Sequence, residues 1–206
     1  MKKMMNIPLN EFLKEKKINC PESQIHESCR LIINEELADN VNLNIGRRVE
    51  LRNLNINITG INSTLVIEDE AKIRGNIFIR HRNSSLFIGK GSTTVNCSFY
   101  ALEGRAIKIG RDCMFSSGVI IRTSDEHTIF NINTHERLNT AQDIIIGNHV
   151  WLGEGVTVNK GVQIPDNVIF GSKALITKGK YFCNAIYAGV PAKLIKLNVG
   201  WDRALL

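Results

Sequence analysis

An aliphatic or aromatic residue recurs at every sixth position from Ile146 to Ile176: Ile146, Leu152, Val158, Ile164, Phe170 and Ile176. Four positions after the first five stand Val150, Val156, Val162, Val168 and Ala174, and Gly147, Gly153 and Gly171 directly follow three of them. Such spacing would carry apolar side chains around a helix instead of holding them on one stripe. Nor is it the simple alternation of a lone strand. It is the spacing of a solenoid, in which each unit of six forms one flat side of a three-sided coil. The first residue of a unit enters a narrow bore and must be apolar, and the fifth also faces inward and must be small or branched. The second sits at the turn, where glycine is expected because a corner often requires positive φ. Stacked coils pair each short strand with those above and below, which a single coil cannot do for itself.

The frame continues upstream with slips. Ile109, Cys113, Phe115, Val119 and Ile121 fit it, as do Ile88, Ser92, Thr94 and Ser98. Ile67, Ala71, Ile73 and Ile77 make another block, and Ile45, Val49 and Leu51 a fainter one. The register jumps at 80–85 and 100–106, expected as corner loops or irregular rungs, and the Asn-rich stretch 53–62 suits outward positions and corners. The expected organisation is one all-β domain: an N-terminal extension (1–30), a parallel β-helix (31–187) interrupted by a loop (122–143), and a C-terminal segment (188–206). Leu9, Phe12 and Leu13 suggest a short amphipathic helix ahead of Pro21. Composition agrees, since 206 residues at 43% hydrophobic suit one domain, and 6% aromatic content suits a bore too thin for large rings. No apolar run follows Lys2 and Lys3 as in a signal peptide, and nothing approaches the ~20 residues of a membrane span. A cytoplasmic protein with no integral membrane segment is expected.

Five cysteines, odd in number and without CxxC pairing, indicate neither a disulfide framework nor a zinc site, so no metal is expected. Cys113 falls at the fifth position of a unit and reads as a small buried hydrophobe. Regularity fails after Ile121, where 22 residues, RTSDEHTIFNINTHERLNTAQD, intervene before the frame resumes in register at Ile144. Connections of that length are more often functional than decorative. This one holds His127 and His135, with His149 soon after.

Several stretches carry a family likeness: IKIGRDCMFSSGVIIR (107–122), TSDEH (123–127), ERLNTAQDIIIGNHVWLG (136–153) and YAGVPAKLIK (187–196), with NVGWDR (198–203) behind them. On these residues the chain resembles the hexapeptide-repeat acyltransferases, and within them the bacterial O-acetyltransferases that decorate sialic-acid capsules and other surface polysaccharides. The resemblance implies a left-handed parallel β-helix, a homotrimer with active sites between subunits, and acetyl-CoA lying in the groove between them. Periodicity by itself shows neither the handedness nor the trimer.

By the same resemblance His127 matches the catalytic histidine. A sugar hydroxyl must lose its proton as it attacks a thioester, and an imidazole can take that proton and return it to the departing thiolate. Trp151 matches the active-site tryptophan, expected to point outward with an exposed indole that stacks on a sugar ring and donates its N–H, or an aromatic that only covers the trimer contact. Asp125 is a candidate to hold the second imidazole nitrogen, or a turn-former only. His135 and His149 read as surface residues. For the CoA phosphates the candidates are Lys178, Lys193 and Lys196. Backbone near Gly153, Gly171 and Ser172 is the candidate for the pantetheine arm, and Pro191 and Ala192 belong to the matching AGVPAK segment.

A net charge of +6 suits anionic partners such as CoA and a sialylated or uronic-acid polymer, and Arg47, Arg48, Arg52, Arg74, Arg80 and Arg82 lie on the early rungs. Nucleic acid is not an expected partner, because aromatic interleaving and any recognised motif are missing. Neither a P-loop nor a dinucleotide fingerprint is present. A γ-class carbonic anhydrase of the same fold needs three zinc histidines, two of them five residues apart, and His26, His81, His127, His135 and His149 contain no such pair. A non-enzymatic scaffold or ice-binding coil would show regular threonine arrays, and the outward positions here are irregular and charged. An acetyl-CoA-dependent O-acetyltransferase acting on a surface polysaccharide is the expected function. Small sugars, nucleotide sugars and xenobiotics are alternative acceptors in the same fold.

Overall fold

Parallel strands stacked coil upon coil make the chain a left-handed β-helix of about 7 turns. The computed structural model describes residues 4–37 and 40–205; Lys2 and Lys3 lie outside them. One stack of strands runs Asn42–Ile45, Thr64–Ile67, Ser85–Ile88, Ala106–Ile109, Ile144–Ile146 and Gln163–Ile164. The other runs through Arg30–Asn34, Glu50–Ile58, Lys72–Ile79, Thr93–Ala101 and Met114–Arg122, then through the short strands Trp151–Leu152 and Val168–Phe170 to Ala185–Ala188. Thr157–Val158 and Leu175–Ile176 continue the distal half of that face.

The six-residue frame lands where the physics of the bore demands. Ile146, Leu152, Val158, Ile164, Phe170 and Ile176 are buried, and so are the five residues at the second inward position. Coil length explains why the frame is clean there and slips upstream. Asn148 bonds Asp166 across 18 positions, three units of six. In the early coils, stacked partners such as Asn55 and Asn76 are 21 positions apart, and Arg47 and Asp69 are 22 apart. Neighbouring coils also shift register by one residue, between Leu51 and Leu54 and between Ser117 and Val119, so that on Thr93–Ala101 the inward positions Thr94 and Cys97 are three apart instead of four. Ser98 therefore does not face inward as the frame expected; Cys97 and Phe99 do. Ile56, Ile77, Phe99 and Ile121 form one column in register, all fully buried. Each such side chain contributes about 1.5–3 kcal/mol by leaving water. The Asn-rich stretch is mostly strand: Leu54, Ile56 and Ile58 point inward between outward asparagines.

The corner glycines are needed for a different reason than expected. Gly147, Gly153 and Gly171 are not among the residues with positive φ. They are small because the next coil comes too close. A Cβ on Gly147 would lie 2.3 Å from Asp166 Oδ1, and one on Gly153 would lie 2.8 Å from the Ser172 nitrogen. Positive φ at the corners is taken instead by Asp112, His149, Asn167 and Lys173, among others.

At the N-terminal end, Met4–Pro8 pairs antiparallel with Arg30–Asn34, and the helix Leu9–Glu15 buries Leu9, Phe12 and Leu13 over the open bore. Coiling starts before residue 31, since Gln24–Ile25 already stacks in parallel on Glu50–Leu51. At the other end Lys193–Leu197 turns back antiparallel on Ala185–Ala188. No helix among the described residues is long and apolar enough to cross a membrane.

Candidate active site

The excursion after Arg122 leaves the coil at a corner, so the coils on either side still stack: Arg111 bonds Asn148 across 37 positions. Its first residue stays docked. Thr123 is fully buried, and its hydroxyl both accepts from the Leu102 N–H at 2.9 Å and donates to the Leu102 carbonyl at 3.0 Å. The Ser124 hydroxyl bonds the Glu103 carboxylate. Arg137, near the loop's end, grips the same carboxylate with two bonds, at 2.7 and 3.0 Å. Those two partners, Arg137 first and then Ser124, hold the Glu103 carboxyl down to about 2. Between these anchors the loop is not formless. Leu138 N–H donates to the Ile129 carbonyl at 2.8 Å and Asn131 N–H to the Glu136 carbonyl at 2.9 Å, closing a small hairpin. Its apolar side chains Ile129, Phe130, Ile132 and Leu138 face outward from the single chain.

His127 sits between the docked corner and the hairpin. Its ring is exposed and makes no hydrogen bond among the described residues, while its carbonyl accepts the Asn139 amide at 2.8 Å. The same amide group donates to Asp125 Oδ2 at 2.8 Å, and the Asn139 side-chain oxygen accepts the Ile129 N–H at 2.8 Å. Asp125 also bonds Lys160 Nζ, which in turn donates to the Asn139 carbonyl at 2.9 Å. Lys160 first, and Asn139 to a smaller extent, hold the Asp125 carboxyl below its ordinary range, against a smaller opposing effect of burial. Asp125 was a candidate to hold the imidazole, or a turn-former only. Its carboxylate is instead committed to a lysine and an amide, so it fixes the backbone that carries His127. The neighbouring Glu126 is paired with Arg80 at 3.2 Å and with Arg122 at 2.8 Å.

Trp151 lies on the stack between Met114 and Ile169, pointing outward while its neighbour Leu152 fills the bore. The indole is half-buried, and its N–H is shut off from solvent with no acceptor among the described residues. This corrects the expectation of an exposed indole. The C-terminal tail supplies part of the cover. Trp201 packs against Trp151 with ring centroids 5.9 Å apart and stacks on His149 at 4.0 Å. His149 is thus not a solvated surface group. Its Nδ1 lies 2.7 Å from Asp112 Oδ2 and its Nε2 lies 3.1 Å from the Trp201 carbonyl, while the Trp201 indole donates to the His149 carbonyl at 3.0 Å. Arg203 finishes the clasp with bonds to Asp112, Thr93 Oγ1 and the Cys113 carbonyl. His135 is exposed and stacks on Phe130.

The residues expected to hold CoA divide in two groups. Lys178, Pro191, Ala192 and Lys193 line one cavity of about 370 Å³ at the end of the coil, together with Lys180 and Tyr181. Lys196 is exposed on the last strand and does not line it. The Gly153 and Gly171 amides are already used, donating at 2.9 and 2.8 Å to the Phe170 and Tyr187 carbonyls of the following coil. They are therefore not free for a ligand. The exposed Ser172 N–H makes no hydrogen bond among the described residues. Also among the described residues, no group of three or more His, Cys, Asp or Glu side chains is placed to hold a metal ion. Sequence reasoning missed Asn139, Lys160, Glu126 and Trp201. The coil register was the signal available for Glu126 alone, through the ladder that sets Arg80 and Arg122 beneath it.

Comparison with known proteins fits this geometry. Residues 143–178 match the family described as bacterial transferase hexapeptide (six repeats). The chain is 37% identical over 169 residues to a polysialic acid O-acetyltransferase of Neisseria meningitidis, covering 82% of this chain and 79% of that one. Among solved structures it is similar to the polysialic acid O-acetyltransferase OatWY, with a TM-score of 0.77, 39% identity and 81% and 79% of the two chains covered. It is also similar to the polysialic-acid-specific acetyltransferase NeuO, with a TM-score of 0.72, 34% identity and 80% and 78% covered.

Proposed function

The chain belongs to the hexapeptide-repeat acyltransferases, and we propose that it moves an acetyl group from acetyl-CoA to a hydroxyl of a sialic-acid-containing capsule polysaccharide. The observation that carries this reading is the likeness, along four fifths of the chain, to enzymes named for that reaction. In the proposed step the His127 imidazole takes the proton of the acceptor hydroxyl. The oxygen attacks the thioester carbonyl, the carbon–sulfur bond breaks, and the proton passes to the sulfur, leaving an acetyl ester and free CoA. General base catalysis of this kind is typically worth ~10²–10⁴ in rate. Lys178, Lys180 and Lys193 bring cationic groups to the cavity at the coil end, where phosphates would be held.

The reading places the working site between two copies in a homotrimer. His127 presents a bare ring on the single chain, beside a hairpin whose outward apolar side chains a neighbouring copy would cover. The test is CoA thiol release from acetyl-CoA by the purified protein, with oligomers of sialic acid, galactose and amino sugars as acceptors. Release is expected only with the sialylated acceptors. His127→Ala should lose at least ~10²-fold in turnover while still binding CoA and remaining trimeric. Retained turnover in that variant would remove the base.

A further inference from the structure

We infer that Glu126 is a positioning residue, which fixes the orientation of the His127 backbone through its grip on Arg80 and Arg122. The inference rests on the reading of His127 as the base. Residues 124–128 form no backbone-to-backbone hydrogen bond among the described residues. Elsewhere in the coil each corner is held by the coils above and below, but this turn has left the stack. Side chains alone hold it: Ser124 Oγ accepts the Glu126 N–H at 2.9 Å, Asn139 holds Asp125 and the His127 carbonyl, and the two arginines hold Glu126.

Glu126 adopts φ +63, a conformation in which its Cβ crowds the backbone. Corner residues such as Glu103 and Asp112 share that conformation, yet their neighbours in the stack impose it. For Glu126 the imposing contacts are the two ion pairs and the Ser124 hydroxyl on its own N–H, in line with the rule that strained residues persist only where their surroundings over-determine them. The arginines are themselves fixed. Arg80 lies over the Phe78 ring at 4.9 Å and Arg122 over the Tyr100 ring at 5.2 Å, and those rings stack on each other at 4.7 Å. A rigid aromatic and guanidinium column therefore reaches from two coils to the residue before the histidine. On the far side Lys160 holds Asp125, so opposite charges pull the turn from both flanks.

The discriminating measurement is the division between kcat and KM. Glu126→Gln, which keeps the size and removes the charge, should lower kcat ~10-fold or more with the KM for acetyl-CoA unchanged and the melting temperature unmoved. Glu126→Gly relieves the backbone strain but loses the grip, and should be at least as slow. The exchanged pair Arg122→Glu with Glu126→Arg should recover a part of kcat that neither single change retains. Wild-type kcat in both Glu126→Gln and Glu126→Gly, alongside an inactive His127→Ala, would overturn the positioning role while leaving the base intact. An active His127→Ala would overturn the reading beneath it. A fall in melting temperature matching the fall in kcat, without rescue by the exchanged pair, would make Glu126 a stabilising residue only.

Discussion

Asn139 ties the excursion together, and its removal should open the loop without loosening the coil. The side chain is 9% exposed and makes bonds of 2.8 Å to the Ile129 N–H, to the His127 carbonyl and to Asp125 Oδ2. Asn139→Ala loses all three. Two are between neutral groups, about 1 kcal/mol each, and the third is to a charged group, about 1.5–3 kcal/mol. Together they lower the free energy of loop opening by about 4 kcal/mol, nearly three powers of ten in the open population. The coil does not share the loss, because none of these bonds reaches the bore. Hydrogen exchange read by peptide mass should show protection vanishing across 124–139 while peptides from 64–122 exchange as before. Turnover should fall with the loop.

Asn139→Asp should be worse than the alanine change. It replaces a donor by a second carboxylate facing Asp125, where two like charges ~4 Å apart repel by about 4 kcal/mol at an effective dielectric of 20. Lys160, already bonded to Asp125, offsets part of that repulsion. If both variants exchange throughout the coil as fast as in the loop, or if the loop keeps its protection, the separation of loop from coil is refuted.

Two further outcomes follow from single residues. Gly75→Ala should unfold the early coils, since its Cβ would lie 2.1 Å from the Cys97 carbonyl oxygen at φ +122; Gly91→Ala, at φ +69 with nothing within 4 Å, should cost only about 1–2 kcal/mol, and thermal melts of the two would separate close packing from backbone strain. Glu103 carries the pH dependence: its carboxyl is held down to about 2, so its contribution to loop docking is complete above the unfolded value near ~4.3 and is lost as pH falls through about 2. Asp125, held down by Lys160, acts in the same direction. Pepsin cleavage at the exposed Phe130 and Leu138, normalised to an unfolded peptide of the same sequence, should rise across that acid window in the wild type and rise less in Glu103→Gln, where only the Asp125 contribution still titrates.

The limits of what the residues disclose follow from coil length. Where a coil spans three units of six, as from Asn148 to Asp166, inward positions recur at fixed spacing and the bore can be read directly. In the coils of 21 or 22 residues the register shifts by single residues that no residue type marks, and Ser98 was misplaced because Thr94 and Cys97, both inward, are three apart instead of four. His127 became a candidate through the family likeness of the TSDEH stretch (123–127), since a histidine in a polar loop by itself reads as a surface residue. Its support was not legible, because Lys160 reaches Asp125 across 35 positions and Arg80 reaches Glu126 across 46, and each reads like any other surface charge. The His149–Trp201 clasp spans 52 positions and leaves no spacing signature at all. Yet the arginine column follows once the register is known. Phe78, Tyr100 and Arg122 fall on one ladder, so Arg80, two residues past Phe78, comes beneath the corner from which the chain departs at Ser124. An acidic residue placed just after that corner has two guanidinium groups below it, and these ion pairs act together with the Asn139 and Lys160 bonds on the turn before His127.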